Sequence, residues 1–279
     1  MVYYWLKDKP QGEVSLEFLD AAGKPVRKFS STAPEQKPAA EASGDDDNPP
    51  PVPPAARLSA QAGMNRFVWN PRYPDATSFP GLIMWAGSVT GPRAPPGKYQ
   101  VRLNAGGKSQ TQSFELKTDP RLPTAPDEYA RQLALGLQVR DKLSEANQGV
   151  VRIREVRKQL EEYAKRDDQK IAAAAKELIG KLTAVEEELY QTKNRSSQDP
   201  LNFPIKLNNK LAHLLSVIDS SDNQPTAQSQ MVYEDLPTRV NGQIKTLNGL
   251  LTNGVAAFNK QVRDASIPAV QIPARVSGQ

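Results

Sequence analysis

The 279-residue chain contains no cysteine and a single histidine. The first absence excludes disulfides, thiolate nucleophiles and cysteine-based zinc sites. The second leaves His213 without a partner histidine, so neither a metal site nor a serine–histidine–aspartate triad is expected. Aromatic residues are only 6% and hydrophobic residues 38% of the chain, low for one compact globule. No apolar run approaches the ~20 residues that span a bilayer, so no membrane span is predicted. The N-terminus, MVYYWLK, has no basic region followed by an apolar core and does not read as a signal peptide. It reads as the middle of a strand, and the chain is expected to be a piece of something longer. There is no G-x-S-x-G elbow and no phosphate-cradling G-x-x-x-x-G-K-[ST] loop.

Charge excludes further classes. The 36 basic and 31 acidic residues give a net +5 that is spread along the chain. The densest basic run, Arg152, Arg154, Arg157 and Lys158, has no aromatic residue within it, so no nucleic-acid groove is expected. Glu186, Glu187 and Glu188 are adjacent on a helix and point in different directions around it. Asp45, Asp46 and Asp47 have no rigid frame. Both sets read as solvated charge, not as the facing carboxylates of a glycosidase. No catalytic residue, cofactor or metal site is expected.

What the chain does contain is patterning of two kinds. Over residues 1–120 it alternates with period two. Val14, Leu16 and Phe18 form one strand, Asn65, Phe67 and Trp69 another, and Tyr99, Val101 and Leu103 a third. Turns punctuate them at Asp20 to Gly23 and at Gly106 and Gly107. Six or seven short strands at this spacing predict an immunoglobulin/fibronectin III-like β-sandwich. Residues 30–56 interrupt it with seven prolines, an acidic run and no aromatic residue, and are read as a disordered insertion. Residues 72–93 are irregular yet carry Tyr73, Phe79, Leu82, Ile83, Met84 and Trp85, so this loop must pack on something.

Beyond a linker at 121–127 the period becomes helical. Ile171, Ala175, Leu178, Leu182, Val185 and Leu189 advance in steps of four and three, one stripe of a helix that needs partners to cover it. Leu143, Ala146, Val150, Ile153 and Leu160 form a second stripe, in which Gly136 and Gly149 suggest close helix contacts. Leu207, Leu211, Leu214 and Ile218 form a third. Leu236, Val240, Leu247, Leu251, Phe258 and Val262 form a fourth, which Pro237 should kink or split. Thr124 with Asp127, then Asp167 or Asp168, and Thr226 are expected to cap helices. The prediction is α+β as separate domains: the sandwich, then an antiparallel four-helix bundle over 128–265, then a flexible tail over 266–279.

The connection 189–211, LYQTKNRSSQDPLNFPIKLNNKL, together with Tyr4-Trp5-Leu6-Lys7-Asp8, Asn65-Arg66-Phe67-Val68-Trp69 and Phe79-Pro80-Gly81, resembles the C-terminal region of large bacterial sortilin-like, BNR-repeat proteins labelled glycosyl hydrolases. In that family a signal peptide and a β-propeller precede this region. The aspartate-box pattern of the propeller is absent here, so no propeller activity maps onto a residue of this chain. The resemblance implies a periplasmic or extracellular setting, although the chain expressed as it stands would be cytoplasmic.

The expected function is a non-catalytic accessory or scaffolding module that docks an upstream β-propeller domain or another protein. The alternative is a carbohydrate-binding module of a secreted glycoside hydrolase. Tyr73, Phe79 and Trp85 are the candidate ligand or docking surface, with a glycan as the alternative partner.

Overall fold

The computed structural model describes residues 1–32, 57–265 and 267–273. The fold is α+β: among the described residues there are six strands, all in antiparallel sheets, then helices. The expected insertion lies, from residue 33 to residue 56, outside the described residues. The chain divides into two units, and the division does not fall at one point. The first unit takes Met1–Asp75, Thr90–Leu137 and Ile218–Pro225. The second takes Ala76–Val89, Gln138–Val217 and Thr226–Gln279. Each unit is assembled from several segments of the chain, of which Ala76–Val89 is the one that matters for the site.

In the first unit, β1 (Val2–Leu6) pairs antiparallel with β4 (Gly63–Phe67), with Tyr3 opposite Arg66 and Trp5 opposite Met64. A second sheet has the order β3 (Pro25–Ser30), β2 (Ser15–Asp20), β5 (Gly97–Ala105), β6 (Lys108–Leu116). Gly106 and Gly107 both have positive φ, the requirement of the two-residue hairpin joining β5 to β6. The period-two pattern holds at Phe67 and Trp69, which join Tyr4, Leu16, Phe18, Val26 and Tyr99 in one core fed by both sheets; β2 departs from it, because Ser15 and Leu19 on its other face are buried as well. Phe18 stacks on Trp69 at 4.1 Å between ring centroids. Asn65, the polar member of the inward set, is buried and fully engaged. Its Oδ1 accepts from the Ser59 hydroxyl and Gln61 N–H, and its Nδ2 donates to the Gln61 and Gly63 carbonyls. Residues 218–225 are fixed here by Asp219, whose carboxylate pairs with Arg72 at 2.7 Å and accepts from Arg93 N–H.

In the second unit, α2 (Gln169–Leu189) buries all six residues of its stripe. Asp168 caps it, accepting from Lys170 and Ile171 N–H. It packs against α4 (Ala227–Gly249), whose N-cap is Thr226, and against α5 (Val255–Asp264). The longest helix, α1 (Pro126–Ala164), begins in the first unit and continues through the second. A Cβ on Gly149 would stand 2.9 Å from Ile244 Cδ1 and 3.2 Å from Leu189 Cδ1, so this glycine does mark a close helix contact. Helix α3 (Leu207–Ile218) buries Leu207, Leu211, Leu214 and Ile218 as expected.

Several expectations need correction. Thr124 does not form a capping box with Asp127: its hydroxyl donates to the Asp222 carbonyl, and Glu128 instead accepts the Ala125 N–H. Of the kink or split expected at Pro237, the split does not occur, and α4 runs through this residue. The irregularity falls later, in a π-helical turn over Leu250–Gly254. Leu247, Leu251 and Val255 are all buried at two successive steps of four. Each such step overshoots a full α-helical turn by about 40°, and a wider turn takes up that drift. Of the expected tail, residues 267–273 are described: Val270 is buried, and its N–H and carbonyl are both bonded to the Asn259 amide.

Leu182 is fully buried in α2, so Leu182→Ala is expected to lower the unfolding free energy by about 2–5 kcal/mol. Asp168→Ala removes only the cap and should cost about 1 kcal/mol. Urea denaturation followed by circular dichroism measures both.

Candidate functional site

The site is built from Ala76–Val89 and the helices of its own unit. This segment has no strand or helix over most of its length, so its backbone groups need other partners. Side chains of three helices supply them. From α1, the Ser144 hydroxyl accepts Thr77 N–H, Asn147 Nδ2 donates to the Thr77 carbonyl at 2.7 Å, and Gln148 donates to Thr77 Oγ1. At the end of α2, the Tyr190 hydroxyl donates to the Gly81 carbonyl and accepts Ile83 N–H. Burial raises the Tyr190 phenol above its ordinary pKa, which keeps the donating proton in place. From α3, the Asn209 amide takes both backbone groups of Trp85 at 2.7 Å, as a neighbouring strand would.

The end of the loop approaches α3 most closely. Ala86 adopts φ 49°, uncommon for a residue with a Cβ. Its carbonyl lies 2.8 Å from His213 Nδ1. A carbonyl only accepts, so Nδ1 carries the proton. At Gly87 a Cβ would lie 2.9 Å from backbone atoms of Ala212 and His213, which requires glycine there. The lone histidine is thus an anchor of the loop.

Beside these anchors lies a fully buried carboxylate. Glu186 Oε1 accepts from Arg154 Nε and Glu186 Oε2 from Arg157 Nη1, both at 2.6 Å. Arg154 also donates to the Pro80 carbonyl and lies over the rings of Phe79 and Tyr190, at 4.7 and 5.3 Å from their centroids. Phe79 and Tyr190 meet edge-to-face at 5.1 Å. The expectation that Glu186 is solvated is therefore overturned. Its side chain is 1% exposed, whereas Glu187 and Glu188 are exposed as expected. The physical reason is position: Glu186 stands four residues from Leu182 on α2, at the flank of the buried stripe. Two members of the basic run are likewise internal partners of this carboxylate.

The three candidate surface residues are divided between the units. Tyr73 belongs to the first unit and packs against its core. Phe79 is buried beneath Arg154, and Trp85 keeps 37% of its surface exposed. The connection after α2 closes on itself: Asp199 accepts the Ser196 and Arg195 N–H groups, and Gln191 donates to the Pro204 carbonyl. Those N–H groups hold the Asp199 carboxyl below its usual range.

Chemically, a carboxylate with each oxygen bonded to a guanidinium has no geometry for taking a proton from a substrate. Among the described residues, no group of three or more His, Cys, Asp or Glu side chains could hold a metal ion. No family model, curated protein or solved structure matches the chain.

Glu186→Ala should destabilise the second unit by about 2–3 kcal/mol, below the cost of breaking a fully buried pair because the guanidiniums rehydrate. That rehydration is available because Arg154 and Arg157 are 32% and 27% exposed. Glu187→Ala should stay within about 0.5 kcal/mol of wild type in the same urea titration.

Proposed function

We propose that this chain is a non-catalytic accessory module, the C-terminal part of a secreted β-propeller protein of the sortilin-like, glycosyl-hydrolase-labelled kind. Its role is scaffolding or docking of the propeller or another protein, in the periplasm or outside the cell. In this reading the first unit is an immunoglobulin/fibronectin III-like sandwich and the helices form an antiparallel four-helix bundle. The family part of the proposal rests on the motif at 189–211. The non-catalytic part is supported by one observation: the buried Glu186 carboxylate has each oxygen bonded to a guanidinium and none left for acid–base work.

A second reading, a carbohydrate-binding module, is favoured by the part-exposed indole of Trp85 on a loop fixed from beneath. The two readings differ in one set of measurements on the purified chain. Docking predicts no turnover of aryl glycosides, no glycan-array signal that depends on Trp85, and co-elution with a separately expressed propeller encoded directly upstream. Glycan binding lost on Trp85→Ala would establish the second reading. Glycoside turnover by the chain unaided would overturn both.

A further inference from the structure

We propose that the outward face of the β1–β4 sheet is a contact surface for the anionic headgroups of a lipid membrane. It goes beyond the docking role and does not depend on it. The inward side chains of these strands, Tyr4, Leu6, Asn65 and Phe67, are buried. The outward ones are uncovered: Met1 is 75% exposed, Tyr3 60%, Trp5 61%, Met64 69% and Val68 54%. The register makes them one patch. Trp5 is opposite Met64 and Tyr3 opposite Arg66, and the Val2–Phe67 pair brings Met1 level with Val68. The Tyr3 hydroxyl reaches to 3.9 Å from Met1 Sδ.

Among the described residues of β1, β4 and the turn that follows β1, positive charge predominates. Arg66 stands on the face, and Lys7 and Lys9 follow β1 directly, against the single acid Asp8. No ion pair among the described residues engages Arg66, Lys7 or Lys9. Protein interfaces favour Trp, Tyr, Met and Arg but deplete lysine. Tryptophan and tyrosine beside lysines are the mixture that seats at a bilayer surface, rings at headgroup depth and cations against phosphate. A second copy fits poorly, because a two-fold contact would set this cationic face against itself.

The test is co-sedimentation of the whole chain with vesicles of phosphatidylcholine alone and of an equimolar phosphatidylcholine–phosphatidylglycerol mixture. Binding is expected to the mixed vesicles only, at low salt, with release at high salt. Trp5→Ala and Arg66→Glu should each lower the partition coefficient by about ten-fold or more, and Trp85→Ala should leave it unchanged. Both altered positions are exposed, and unchanged melting temperatures will show that the fold is kept. Absence of binding to the mixed vesicles at low salt, or binding that neither variant weakens, overturns the proposal. So does a dimer in sedimentation equilibrium that Trp5→Ala dissolves, or Trp5-dependent capture by the upstream propeller without vesicle binding.

Discussion

A carboxylate shut away from solvent and held by two guanidiniums is the contact on which the second unit turns. Removing Glu186 from water is costly unless both oxygens are bonded, and Arg154 and Arg157, one helical turn apart on α1, meet both. The triad ties α1 to α2. It also reaches further, because Arg154 has donors and a flat face left over. One donor goes to the Pro80 carbonyl, and the face covers Phe79 and Tyr190. A single ion cluster therefore joins a helix pair to a loop.

The loop is the more unusual partner. Segments without a ladder normally run over the surface and leave their backbone to water. Ala76–Val89 instead has its peptide groups met by Ser144, Asn147, Tyr190, Asn209 and His213. Side-chain amides and hydroxyls can do this because each offers a donor, an acceptor or both at the reach of a peptide group. The consequence for function is direct. Polar side chains at this face are partners of the loop, and the large apolar side chain that the loop leaves exposed is Trp85.

Much of the fold was legible because it is written in side-chain period. The stripe from Ile171 to Leu189 and the alternation of Phe67 and Trp69 both state which face is buried, Thr226 states where a helix begins, and the Asp167–Asp168 pair places another start to within one residue. The Gly106–Gly107 hairpin is equally local. What was not legible depends on distant pairing or on the backbone. Nothing in the sequence of β1 names β4 as its neighbour. The destination of Ala76–Val89 was hidden because its anchoring groups are carbonyls and N–H groups, which every residue carries. Glu186 looked like its exposed neighbours because three glutamates in a row hide the one beside the stripe. Its signal was the spacing of four from Leu182, matched by Arg154 and Arg157 flanking buried Ile153 and Val156 on α1. The π turn had a signal too, in the two steps of four from Leu247 to Val255.

The most direct test of this account is native-state hydrogen exchange at the amides of Thr77, Ile83 and Trp85, each of which donates to a helix side chain. If the loop is an integral part of the helical unit, these amides exchange only through the same opening that releases the buried amides of α2. Exchange at free-peptide rates while α2 remains protected would contradict it.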